Sequence, residues 1–267
     1  MKQNSAAQTT VDGAQGGAGV ALVTGAAQRI GRCIALALAR DGWDIAVHYR
    51  GSESAALETA EAVRALGRRA VALQCDLADA AAVKLLLARA GEALGPVTCL
   101  VNNASLFDYD SAADFSAARL DAHMRVNLTA PLLLAQALHA ATAEGRQAVV
   151  INLLDQKLYN LNPDFLSYTL SKAALHTATT LLAQALAPTV RVVGIAPGLT
   201  LVSGEQSESG FGKAHQATPL GRSSTPEDVA DSVCYVARAR ALTGTTLLVD
   251  GGQHLLPLAR DVMFLAQ

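Results

Sequence analysis

Asp155, Tyr168 and Lys172 are residue types that hold, give and steer protons, and they stand close together in the chain. The stretch Phe165-Leu166-Ser167-Tyr168-Thr169-Leu170-Ser171-Lys172, continued by Ala173, Ala174 and Leu175, reads as a helix. Tyr168 and Lys172 then fall at i and i+4 and share one face. A cation beside a phenol favours the phenolate and is expected to lower the tyrosine pKa from about 10, easing proton release at neutral pH. An amphipathic helix carrying one aromatic residue and one surface lysine gives the same pair, so the surrounding residues must decide between the two readings.

Those residues need a scaffold, and the hydrophobic pattern supplies one. Short apolar, β-rich runs at Val20–Thr24, Asp44–Tyr49, Ala70–Cys75, Thr98–Val101, Ala148–Leu153, Val190–Ile195 and Thr245–Val249 are expected to be strands. Helical patterns fill the gaps at Ile30–Arg40, Ser54–Leu66, Asp79–Ala93, Leu120–Glu144, Phe165–Leu186 and Pro226–Ala239. This alternation predicts an α/β fold: a single Rossmann-type, doubly wound domain with a seven-stranded parallel sheet flanked by helices. The connections are short and no linker divides them, so residues 19–267 are expected to form one dinucleotide-binding catalytic domain after a flexible tail over residues 1–18. Residues 197–219 are rich in Gly, Ser, Thr and Glu and too long for a turn, and read either as a mobile flap over a site or as a surface loop.

Composition narrows the function. Of 267 residues 51% are hydrophobic and 16% charged, with a formal net charge of −2, which suits a compact enzyme body and offers no basic field for nucleic acid or acidic lipid. Cys33, Cys75, Cys99 and Cys234 are scattered, with no Cys-x-x-Cys spacing and no histidine beside them. Neither a metal site nor a disulfide framework is expected, and they read as small buried hydrophobes in a reducing, cytoplasmic compartment. No apolar run is long enough for a membrane span, and the N-terminal stretch shows no hydrophobic signal core.

The strand ends carry the remaining chemistry, because ligands of doubly wound sheets bind at the carboxyl edge. The first strand enters Thr24-Gly25-Ala26-Ala27-Gln28-Arg29-Ile30-Gly31 and then a helix. Gly25 permits a tight turn and Gly31 close helix packing, turning backbone amides and the helix dipole toward a pyrophosphate. The middle glycine of a dinucleotide loop is missing, and Arg29 stands there instead, suited to a phosphate or substrate contact. The second strand ends His48-Tyr49-Arg50-Gly51-Ser52, where an NAD-binding chain would offer a carboxylate to the ribose. Arginine and a small hydroxyl suit a 2′-phosphate, so NADPH is the expected cofactor. Asp76-Leu77 follows the third strand, placing a carboxylate for an adenine amino group or simply a turn-capping residue. Asn102-Asn103-Ala104-Ser105 and then Phe107 follow the fourth, and Asn127 lies inside an apolar helical pattern where it needs a buried partner.

Thr24-Gly25, Asn102-Asn103-Ala104, Asn127, Tyr168-x-x-x-Lys172 and Pro197-Gly198 together resemble, in order and spacing, the short-chain dehydrogenases/reductases, over nearly the whole chain from Val20 to Gly252. The resemblance implies that Tyr168 is the general acid, that Lys172 holds the nicotinamide ribose and tunes the tyrosine, and that Asn127 supports a proton-relay water. It also implies cofactor contacts from Gly25, Arg29, Ile30, His48, Tyr49, Arg50, Ser52, Asp76, Leu77, Asn103, Ala104, Ser105, Pro197 and Gly198. Where the family carries a serine at the end of the fifth strand, this chain has Asp155. An ionised carboxylate cannot donate to a carbonyl oxygen, so an ordinary ketone substrate fits poorly.

That aspartate, the arginine-bearing first loop, His48-Tyr49 with basic and hydroxyl residues after it, Asn103-Ala104-Ser105 before Phe107, and Pro197-Gly198-Leu199 are similar to the pteridine reductase subgroup. The similarity implies NADPH-dependent reduction of a dihydropterin- or dihydrofolate-like small molecule by a homotetramer. Phe107 would stack on the pterin, Arg29, Ser105 and Leu199 would line its site, and Asp155 with Tyr168 would deliver the proton. Two other readings stay open: reduction of a different carbonyl or imine, and a non-catalytic NADP-binding regulator. Arg50 stands one residue earlier than the basic residue typical of that subgroup.

Overall fold

The computed structural model describes residues 18–202 and 208–265. The expected flexible tail lies, save for Ala18, outside the described residues. Seven strands form, β1 (Gly19–Val23), β2 (Trp43–Tyr49), β3 (Ala70–Gln74), β4 (Val97–Asn102), β5 (Ala148–Leu153), β6 (Val190–Pro197) and β7 (Thr246–Val249). They pair in parallel in the order β3-β2-β1-β4-β5-β6-β7. The chain therefore winds outward in both directions from the β1/β4 boundary, the switch point at which such sheets open a crevice.

Among the described residues the helices are α1 (Arg29–Arg40), α2 (Glu53–Ala65), α3 (Ala80–Leu94), α4 (Ala117–Met124), α5 (Ala130–Ala141), α6 (Leu166–Ala185), α7 (Glu208–Gln216), α8 (Pro226–Arg238) and α9 (Val262–Leu265). Alternate strand residues point to opposite faces, which is why two separate cores form. Ala21, Val23, Ile45 and Val47 pack under α1, α2 and α8. Val20, Leu22, Ala46 and Leu100 pack under α3 and α5. Local signals fix several helix starts: Asp79 accepts from Ala81 N and Ala82 N ahead of α3, and Thr225 with Asp228 forms a reciprocal capping box around Pro226.

Two expectations change. The single helix expected over Leu120–Glu144 is α4 and α5 joined by one π-helical turn, Arg125–Thr129, and it ends at Ala141. Pro131 has no N–H to return to the Asn127 carbonyl and its ring crowds that oxygen, so a regular α ladder cannot run through this point. The segment 197–219 is not irregular throughout, since α7 occupies Glu208–Gln216. Its two glycines hide the helical period in the sequence, while Phe211 and His215 meet one turn apart at 5.2 Å between ring centroids.

The start of α6 is anchored from outside. Phe165 precedes it at φ 55°, without a capping side chain. Fully buried Asp110 does that work: Ser167 N donates to its Oδ1 at 2.9 Å, the Ser167 hydroxyl donates to Oδ2, and Leu166 N donates to its carbonyl at 3.2 Å. Tyr168 projects from this pinned first turn.

Candidate active site

The carboxyl ends of β1, β4, β5 and β6 open into one cleft whose walls include Arg29, Ser105, Phe107, Asp155, Tyr168 and Lys172. Tyr168 Oη donates to Asp155 Oδ2 at 2.7 Å. Asp155 also caps the 3₁₀ turn Gln156–Tyr159, its Oδ1 accepting from Lys157 N at 2.8 Å, so both carboxylate oxygens are positioned. Lys172 Nζ donates to the Leu153 carbonyl at 2.7 Å and lies 5.7 Å from the Tyr168 ring centroid. Asn127, in the π turn, accepts from Leu106 N at 2.8 Å and donates to the Leu106 carbonyl and Ser171 Oγ, each at 2.9 Å. Its side chain thus joins the loop after β4 to α6.

The electrostatics correct one expectation. Burial drives the Tyr168 hydroxyl well above its ordinary pKa and the Asp155 carboxylate adds to the rise, so Lys172 does not bring the phenol down. Burial likewise raises Asp155, against the opposing pull of the Lys157 N–H, the Tyr168 hydroxyl and Lys172. Burial lowers Lys172 to about 8, with the Asp155 charge holding it up in part. Burial thus disfavours the charged form of each of the three groups, and it keeps the proton on the Tyr168 hydroxyl, as a proton donor requires before reaction.

At the other end, Gly25 has φ 63° and a Cβ on Gly31 would lie 2.1 Å from the Gly25 carbonyl oxygen, so α1 approaches the turn as only glycine allows. Arg29 also has positive φ, 54°, and donates through Nη2 to the Val202 carbonyl at 2.9 Å; with Ile30 it lines the cleft. His48 is buried and interior: Gly25 N donates to its Nδ1 at 3.0 Å and its Nε2 lies 3.0 Å from the Cys75 carbonyl. Both ring nitrogens are thus engaged by the protein, and the Gly25 amide is occupied by His48. Burial holds its pKa down to about 4.

Tyr49 is half-buried, whereas Arg50 and Ser52 stand exposed beyond β2. Ser52 is the N-cap residue of α2, yet its hydroxyl makes no capping bond. Asp76 is exposed and accepts from Ala78 N at 2.9 Å in a turn. The Leu77 side chain is buried in the core, which leaves only its backbone for a ligand. Asn103 stitches β4 to β1, its Nδ2 donating to the Thr24 carbonyl at 2.8 Å, while Ala104 N donates to Thr24 Oγ1 at 3.0 Å. Pro197 ends β6, Gly198 N donates to the Val249 carbonyl at 3.0 Å, and Leu199 N donates to Gln253 Oε1 at 2.9 Å.

Ser105 is exposed, its hydroxyl 3.3 Å from Asn127 Oδ1. Phe107 stacks on Phe165 at 4.3 Å and meets Tyr168 edge-on at 4.6 Å. Cys75, Cys99 and Cys234 are buried, but Cys33 is partly exposed, its Sγ 3.7 Å from Glu227. Sequence reasoning missed Lys157, Gln253 and Asp261, all of which line the cleft. Lys157, two residues after Asp155, and Pro131, four after Asn127, were available as signals; Asp261 had none. Among the described residues, no group of three or more His, Cys, Asp or Glu side chains could hold a metal ion, and no helix is long and apolar enough to cross a membrane.

Comparison with known proteins agrees with this geometry. The family described as enoyl-(acyl carrier protein) reductase matches residues 25–254. FolM alternative dihydrofolate reductase 1 from Brucella suis, solved in complex with NADP, is 40% identical with a TM-score of 0.86, covering 88% of this chain and 95% of its own. An uncharacterised oxidoreductase of Methylorubrum extorquens is 33% identical over 241 residues, 87% of this chain and 96% of that one. A 3-oxoacyl-[acyl-carrier-protein] reductase of Staphylococcus aureus is 31% identical over 240 residues, 88% and 98%. A parallel sheet split at β1/β4, a Tyr–Lys pair on α6 and full-length likeness to these reductases converge: the chain belongs to the short-chain dehydrogenase/reductase family of oxidoreductases.

Proposed function

We propose that this protein is an NADPH-dependent reductase of pterins, acting on dihydropterin- or dihydrofolate-like substrates. The observation that carries the reading is the 2.7 Å bond between Tyr168 and Asp155 inside a cleft walled by Phe107. A tyrosine hydroxyl donating to a buried carboxyl group suits a ring nitrogen that must gain a proton, and that carboxyl group has acceptor oxygens for the N–H groups of an amino-pyrimidine edge. Likeness to the NADP-bound FolM reductase supports the same substrate class.

The residues present fit the cofactor. The glycine-only approach of Gly31 to Gly25 makes room at the start of α1 for a pyrophosphate. Arg50 and the uncapped Ser52 hydroxyl at the start of α2 suit a 2′-phosphate. Tyr168 and Lys172 would hold its ribose, and NADPH bound there would supply the hydride. Tyr168 gives its proton to the substrate nitrogen, Asp155 orients and replenishes it, and Lys172 favours the phenolate that forms. Asn127 holds the Ser105–Leu106 loop, and Phe107 and Leu199 flank the substrate. A homotetramer in the cytoplasm completes the proposal, and light scattering tests its assembly.

The test is NADPH oxidation with dihydrobiopterin, dihydrofolate and a panel of ketones and 3-oxoacyl thioesters. Turnover of a pterin in preference to the ketones supports the reading. Ketone or thioester turnover with none on pterins overturns it, and the relationship to the 3-oxoacyl reductase makes that the informative comparison.

A further inference from the structure

The chain continues past β7 and folds back over its own cleft, where Asp261 and Val262 form part of the wall. Four charged side chains fasten this segment to the loop between β5 and α6. Arg260 Nε donates to Asp164 Oδ2 at 2.8 Å, and Asp261 N donates to the same oxygen at 2.7 Å. Lys157 Nζ, only 3% exposed, donates to the Asp164 carbonyl at 2.7 Å and to Asp261 Oδ2 at 3.0 Å. Phe264 then stacks at 6.1 Å on Phe165, the ring that carries Phe107, and α9 packs against α7.

Burying a lysine is unfavourable unless its charge is paired and its donors are used, so a surface tail would not recruit Lys157 in this way. Lys157 also ties the two cleft carboxylates together: its backbone N–H holds Asp155 and its ammonium holds Asp261. We propose that the segment 257–264 is a working wall of the active site, latched through Lys157 and Asp164, and that Asp261 is a positioning residue for the Asp155–Tyr168 proton-delivery pair.

The charge of Asp261 bears on both members of that pair. It adds to the rise of the Asp155 pKa and of the Tyr168 pKa, behind burial in each case. The other charged groups facing them are Lys172 on α6, Lys157 on the 3₁₀ turn and, across the cleft, Arg29 at the start of α1; Arg260 is engaged by Asp164. Removing the Asp261 charge therefore lets Asp155 ionise at a lower pH.

The experiment compares wild type with Asp261→Asn, which keeps the shape and the oxygen facing Lys157. In the full-length enzyme with NADPH, the alkaline limb of the pH profile of kcat/KM for dihydrobiopterin should move to lower pH by about half a unit or more. Superimposable profiles overturn the positioning role. This arm rests on the pterin reading; if no pterin turns over, titration of the ¹³C-labelled Asp155 carboxyl in the same two proteins reads the same shift. Hydrogen exchange judges the latch without any substrate: the Asp261 amide should be protected in wild type and should exchange about tenfold faster or more in Arg260→Ala. A segment 257–264 that exchanges at the free-chain rate in wild type overturns the proposal outright.

Discussion

The two ends of the cleft are built on opposite principles. At the β5/α6 end every group that would handle a proton is already engaged by the protein: Tyr168 by Asp155, Asp155 by Lys157, Lys172 by the Leu153 carbonyl and Asn127 by Ser171. At the β2 end Arg50 and Ser52 stand in solvent, and the Ser52 hydroxyl leaves its own helix uncapped. Under the proposed function, the first arrangement would hold the reacting groups in place before substrate arrives, leaving little reorganisation for the chemical step. The second, under the proposed function, would keep solvated charge for a ligand that brings its own phosphate. Damage at the first end should appear in turnover, and damage at the second in cofactor binding and choice.

The largest separation should come from Tyr168→Phe. It removes the donor and leaves the ring packing on Phe107, so kcat should fall about 1000-fold while the NADPH dissociation constant, read by fluorescence quenching, changes by less than about threefold. Loss of binding in step with turnover would break the division between the two ends. Arg50→Ala should do the reverse. One charge-assisted contact is worth about 1.5–3 kcal/mol, so the ratio of kcat/KM for NADPH over NADH should drop about tenfold or more with little change in NADH turnover. An unchanged ratio would assign 2′-phosphate recognition elsewhere.

The smallest effect vanishes at neutral pH and concerns the frame of the cofactor end. His48 is held neutral down to about 4 by burial, against an ordinary value of 6.5. Below pH 6.5 the unfolded chain gains a proton that the folded chain refuses, so stability declines as pH falls toward 4, by about 3 kcal/mol at most from this group. Thermal melts of His48→Gln should show a shallower decline over that window than wild type. Parallel declines would mean that His48 is not what makes the turn acid-sensitive.

What could be read from the sequence followed the same division. Strands buried on both faces and helices with one apolar stripe announce themselves locally, and β5 begins and ends where the pattern places it, at Ala148 and Leu153. Asp155 was joined to the Tyr168–Lys172 pair through the resemblance to pteridine reductases, whereas the pair itself was legible because i, i+4 spacing on one helix fixes it. The Tyr168 pKa was not: the i, i+4 lysine is visible in sequence, but the burial that outweighs it is a tertiary fact. His48 was misjudged for a related reason. A histidine at a strand end looks available to a ligand until the partners Gly25 and Cys75 are seen to enclose it. Asp261 lies 106 residues beyond Asp155 in a stretch without periodic pattern, and only the latch to Asp164 and Lys157 brings it to the cleft.

The central claim is that Asp155 and Tyr168 act as one proton-delivery unit for a pterin. Asp155→Asn tests it most directly, because the amide keeps the size of the side chain and an oxygen for the Lys157 N–H while removing the acid. Steady-state reduction of dihydrobiopterin by NADPH should fall about 100-fold or more in kcat, with NADPH affinity within about threefold of wild type. Turnover close to wild type would contradict the account and take Asp155 out of the mechanism.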